Sequence, residues 1–129
     1  GLGYDALEQM YRRMIFNVVS RNQDDHTKNI AFLMDDNGSW QLAPAFDMIW
    51  AFNSSGLWTN QHQMSVNGKR DAFELSDFLA VASRYGISHP RGIINDVVHA
   101  VSSWIQIALE LAIPQMHIDR IAATHRLSF

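Results

Sequence analysis

The stretch that most constrains the fold of this chain is Asp35-Asp36-Asn37-Gly38, set between two runs that read as strands. Asn-Gly is a favoured hairpin dipeptide, so the spacing predicts strands over 30–34 and 39–43 folded back on each other. The first of them, Ile30-Ala31-Phe32-Leu33-Met34, is apolar throughout and reads as buried, and Pro44 stops the second. Asn29 lies just before the first strand and Asp47 just beyond the second. A hairpin therefore returns both residues to its one open end, and carries Asp35 and Asp36 away to the far tip.

The rest of the chain reads as helix. Leu7, Met10, Met14, Ile15, Val18 and Val19 recur at i, i+3/i+4 and i+7, which predicts an amphipathic helix over 4–21. The Arg12-Arg13 pair lies off that stripe and reads as its wet face. Residues 22–29 are too rich in Asp and Asn to continue the helix, which thus delivers a polar loop. The segment 47–68 is irregular. Ser76 reads as the N-cap of a helix over 77–85 closed by Gly86, and Pro90 as the start of a long helix over 91–112. That long helix buries Ile93, Ile94, Val97, Val98, Val101, Trp104, Ile105 and Ala108. Pro114 breaks it, and a last helix over 115–127 offers Met116, Ile118, Ile121 and Ala122 for burial. The fold class is mainly α with one small hairpin carrying the polar loop. At 47% hydrophobic residues, with four Trp and seven Phe, 129 residues suffice for one packed domain.

Asp24, Asp25 and Asp47 are expected to converge at the open end of the hairpin, where three carboxylates repel one another unless a cation intervenes. Hard oxygen ligands without cysteine suit magnesium or manganese better than zinc. On spacing alone two readings stand, a solvated loop of caps and turns or a cation site. An Asp, an Asn five positions on and a second Asp beyond a hairpin is also the set that ATP-dependent phosphoryl transfer uses.

The run Asn22-Gln23-Asp24-Asp25-His26-Thr27-Lys28-Asn29, the strand after it and Leu42-Ala43-Pro44-Ala45-Phe46-Asp47 resemble the C-terminal part of HipA-type serine/threonine kinases. Met64-Ser65-Val66-Asn67-Gly68-Lys69 and the helix through Phe78-Leu79-Ala80 extend the resemblance over nearly the whole chain. It implies a kinase-like helical C-lobe, cytoplasmic location, ATP and magnesium as cofactors, and phosphorylation of a protein Ser/Thr within a toxin-antitoxin pair. By that resemblance Asp24 is the catalytic carboxylate and His26 a hydrogen-bond donor that stabilises the loop. Lys28 offsets phosphate charge or pairs with Asp25 at the surface, and Asn29 and Asp47 hold the metal. The implied partners are the substrate protein and a DNA-binding antitoxin. The loop lacks the His-Arg-Asp opening of conventional protein kinases, and Met48-Ile49 follows Asp47 in place of Phe-Gly.

Conventional sites cover the nucleotide with a Gly-rich loop and a strand lysine. Upstream of Asp24 there is a helix, and the two lysines are Lys28 and Lys69. Residues 1–129 are thus expected to form a C-terminal lobe whose N-lobe lies elsewhere, in keeping with a start, Gly1-Leu2-Gly3, that contains no Met. A net charge of −3 argues against direct nucleic-acid binding, and no apolar run reaches the ~20 residues of a membrane span. Two other functions are open: an interaction module that docks an antitoxin or a separate N-lobe, and a metal-dependent phosphohydrolase built on Asp24, Asp25, His26 and Asp47. The remaining histidines, His62 among them, read as surface or cap residues. Trp50, Phe52 and Trp58 read as core, and residues 67–70 as a turn.

Overall fold

The computed structural model describes residues 2–129. These residues form five helices and one hairpin: α1 (Tyr4–Ser20), β1 (Phe32–Met34), β2 (Trp40–Leu42), α2 (Leu75–Tyr85), α3 (Pro90–Ser102), α4 (Trp104–Glu110) and α5 (Gln115–Ala122). The mainly helical class with a single antiparallel hairpin is as expected. The core forms where α1 crosses α3 and α2 closes over them. Ile15, Val18 and Val19 meet Phe78, Ile93, Ile94, Val97 and Val101 there, all buried. Tyr11 joins this face from within α1. Its hydroxyl donates to the Phe78 carbonyl at 3.1 Å, and burial pushes its pKa up to about 12. No helix among the described residues is long and apolar enough to cross a membrane.

Helix α1 stops because Arg21 takes a left-handed conformation (φ 61°), and the Asn22 amide reaches back to the Asn17 carbonyl at 2.9 Å. That turn delivers the polar loop, whose last residues, Thr27–Asn29, wind into a short 3₁₀ turn. The hairpin pairs Phe32 with Leu42, Leu33 with Gln41 and Met34 with Trp40. Only Gly38 of the Asn-Gly pair has positive φ (80°), and the Asp35 amide bonds Ser39 O at 3.0 Å. The turn is therefore a three-residue loop with a glycine in the left-handed region, and the Asp35 carboxylate caps the amides of Asn37 and Ser39.

Several expectations fail on packing. Strand β1 is exposed throughout, because a two-stranded ribbon has no layer against either face. The long C-terminal helix divides at Ser103, where the hydroxyls of Ser102 and Ser103 both bond the His99 carbonyl and compete with the helical ladder. Ile105, predicted to be buried, is exposed, and so is Met116, while Ile118 is fully buried. The last helix ends at Ala122, well short of residue 127. Helix α2 starts at Leu75, two positions before its expected first residue, with Glu74 as its N-cap; the Glu74 amide donates to Asp77 Oδ2 at 2.9 Å.

Arg12 and Arg13 do more than face water. Arg12 pairs with Glu8 and Asp96, and Arg13 donates to the Ala43 carbonyl at 2.7 Å, fastening the base of the hairpin to α1. Trp50 is half-buried, its Nε1 donating to Thr124 Oγ1 at 2.8 Å, and Phe52 lies 4.5 Å beneath Arg21. Trp58, read as core, is 73% exposed. Residues 67–70 do form a turn, with Asn67 and Gly68 left-handed and Lys69 reaching Asp77 at 2.8 Å.

Candidate functional site

The polar loop leaves α1 and is stitched to the chain that follows the hairpin. The Gln23 amide donates to the Ala51 carbonyl at 3.0 Å, and the Ala51 amide to the Arg21 carbonyl at 3.1 Å. The buried Asn22 side chain donates from Nδ2 to Asn17 Oδ1 and to the backbone carbonyl of Asp47, each at 3.0 Å. Two flanks of the hairpin are thus held together by backbone bonds and one buried amide. Asp47 sits there at φ 55°, a left-handed conformation that Asp tolerates better than most residues. The result is that Asn29 and Asp47 line one cleft, together with Asn22, Asp25 and His26, above Met10, Met14 and Met64.

Within the loop, Asn29 donates from Nδ2 to the Asp24 carbonyl oxygen at 3.0 Å. This fixes the amide plane and leaves Oδ1 as the outward acceptor. Asp24 is not among the residues lining the cleft. Its side chain is 44% exposed, and the His26 ring lies near it, with Nε2 at 3.9 Å from Oδ1. His26 Nδ1 is buried without a hydrogen-bond partner. The donor expected to stabilise the loop therefore makes no hydrogen bond, and Asn29 anchors the loop in its place. Lys28 is exposed and forms no ion pair among the described residues.

The expected convergence of three carboxylates does not occur. Asp25 turns away from Asp24 and into the protein, where it is 6% exposed and 2.8 Å from the imidazole Nδ1 of His62. Its other oxygen accepts the amides of Gln63 at 2.7 Å and Met64 at 3.3 Å. Surface pairing of Lys28 with Asp25 is excluded by the same geometry. Among the described residues no three His, Cys, Asp or Glu side chains come together to hold a metal ion by themselves. What remains at the cleft is the Asn29 amide oxygen, the Asp47 carboxylate and the buried, unpartnered Asn22 Oδ1, a hard, sparse donor set. A magnesium ion shared with phosphates needs few protein ligands, so this set fits it, and without phosphates it would hold a hard cation only weakly.

His62 is the residue that sequence reasoning missed. It is fully buried and central to the back of the loop, not a surface histidine. Nothing in the local sequence Gln61-His62-Gln63 signals this, because its partners Asp25 and Arg126 are distant along the chain.

The family described as the HipA-like C-terminal domain matches residues 2–105 of the chain. No curated protein and no solved structure gives a significant match. The chain belongs to the HipA-like C-terminal domain family, since the match spans well over half of it.

Proposed function

Starting from that membership, we propose that residues 1–129 form the C-terminal catalytic lobe of a cytoplasmic protein serine/threonine kinase of a toxin-antitoxin pair. The lobe works with a phosphate-binding N-lobe supplied from outside these residues. The observation that carries the reading is the single cleft lined by Asn29 and Asp47, with the Asn29 amide anchored on the backbone of Asp24. Asp24 orients the acceptor hydroxyl of the substrate protein and takes up its proton. Asn29 Oδ1 and the Asp47 carboxylate are the atoms that hold magnesium. Bound ATP and magnesium supply the transferable phosphoryl group and neutralise the charge on its oxygens. Lys28, exposed and unpaired among the described residues, is free to meet phosphate oxygens.

The test is phosphotransfer to a protein acceptor by this lobe joined to its N-lobe. Asp24→Ala and Asp47→Ala are each expected to lower the rate by about two orders of magnitude or more. Undiminished transfer in either variant sinks the assignment.

A second reading has its own observation. Leu57 and Trp58 are 89% and 73% exposed on the loop after Asp47, which suits docking of an antitoxin protein or an N-lobe. In that case Asp24→Ala leaves partner binding unchanged while Trp58→Ser weakens it. The phosphohydrolase alternative loses its footing because Asp25, one of its four residues, is fully engaged by residues 62–64.

A further inference from the structure

Behind the loop, a directional chain of polar groups joins Asp25 to the C-terminal segment. Arg126 places Nη1 3.1 Å from His62 Nε2, and its Nη2 donates to Asp71. A guanidinium has only donors, so Nε2 must present its lone pair. The imidazole proton therefore resides on Nδ1, where it is donated to Asp25 Oδ2 at 2.8 Å. The ring stands edge-on to Phe73 with centroids 5.3 Å apart, which blocks rotation out of this alignment.

Arg126 is itself held on several sides. Its amide donates to the Val19 carbonyl at 2.9 Å, and its guanidinium lies 5.4 Å from the Phe73 ring centroid. Asp71, its carboxylate partner, is also 3.9 Å from Arg21, whose Nε donates to the Thr124 carbonyl at 2.9 Å. The C-terminal segment thus grips the loop at its entrance through Arg21 and at its centre through His62 and Asp25. Arg126 lies beyond residues 2–105, the segment that the family match covers.

We propose that His62 and Arg126 are positioning residues for the loop: Arg126 and Asp25 clamp the imidazole from its two nitrogens, the imidazole aligns the Asp25 carboxylate, and Asp25 holds the backbone that presents Asp24 and Asn29. The relay's geometry is independent of the phosphotransfer reading; only its use in catalysis rests on that reading.

The experiment uses the 129-residue chain, labelled with ¹⁵N. Long-range ¹H–¹⁵N correlation of the His62 ring should give the Nδ1–H tautomer. An Nε2–H ring, or a doubly protonated one, overturns the relay without recourse to any variant. Arg126→Met removes the donor that faces Nε2 and should speed amide exchange over residues 24–29 by about tenfold or more, with exchange in α3 little changed. Manganese, followed by broadening of the Asn29 and Asp47 resonances, should bind about tenfold more weakly to Arg126→Met, and Arg126→Lys, which keeps a donor, should recover part of the loss. Unchanged loop exchange in Arg126→Met overturns the proposal. If Arg126→Met does not fold, the wild-type tautomer and the loop exchange of Arg126→Lys decide it. Absence of manganese binding in the wild type counts against the phosphotransfer reading alone, since tautomer and exchange still judge the relay.

Discussion

Asp24 and Asp25 share a peptide bond, yet their carboxylates are used in opposite ways. Asp24 keeps 44% of its side chain exposed and meets only His26, at 3.9 Å, whereas Asp25 is 6% exposed and accepts from three donors in residues 62–64. A carboxylate whose lone pairs are filled by fixed donors stabilises the fold and has little capacity left for a substrate. Its neighbour, with acceptors open to solvent, contributes little to stability and can still take a proton. The loop thus has a structural back and a chemical front, one residue apart.

Asp25→Ala should break that division most severely. It leaves the His62 Nδ1–H and two amides without their acceptor in a dry site, at a cost of about 3–5 kcal/mol. Asp24→Ala removes no hydrogen bond of the carboxylate and should stay within about 0.5 kcal/mol of wild type. Urea unfolding of the two variants measures the contrast directly. Equal losses would mean that the two carboxylates share the structural load.

A second buried carboxylate, Asp77, extends the comparison to the start of α2. Asp77 receives Lys69, Asn67 and the Glu74 amide, and these bonds, Lys69 foremost, hold its pKa down at about 2 against a usual 3.8. A depressed folded-state pKa means that the unfolded chain binds the proton more readily. The stabilisation is therefore complete above pH 3.8 and is lost progressively as pH falls towards 2. Asp77→Ala should cost about 2 kcal/mol at neutral pH and flatten the stability profile in that acid window. Thermal melts from pH 5 to pH 2 test it, and an unchanged acid slope in the variant would assign the loss to other groups.

Much of this arrangement was legible in the sequence because it is written in local patterns. The apolar spacing in 4–21 found α1, Gly86 marked the end of α2, and the Asn37-Gly38 turn implied that Asn29 and Asp47 would meet. Patterns that depend on a remote partner were not legible. Asp25 looks like Asp24 until His62 is placed beside it, and His62 looks like a surface residue until Asp25 and Arg126 enclose it. Exposure failed for a related reason. Apolar content made β1 look buried, but burial needs a second layer, and none lies on the hairpin. The division of the last long helix hinged on two serine hydroxyls competing for one carbonyl, which periodicity does not register.

The smallest expected effect addresses the chemical front. If the open oxygens of Asn29 and Asp47 form a hard-cation site, millimolar magnesium or manganese should stabilise the folded chain by mass action. A metal a few-fold above its Kd contributes about 1 kcal/mol, a rise of a few degrees in melting temperature. The effect should vanish in Asp47→Ala, which keeps the backbone bond to Asn22 but should lose about 1 kcal/mol with or without metal, because Ala tolerates φ 55° less well than Asp. Asp25→Asn is the sharper control. Its damage lies at the back of the loop, so it should lower the melting temperature with and without metal while leaving Asp47 in place. A metal shift that survives Asp47→Ala would place the ion elsewhere and leave the front of the loop without a demonstrated ligand.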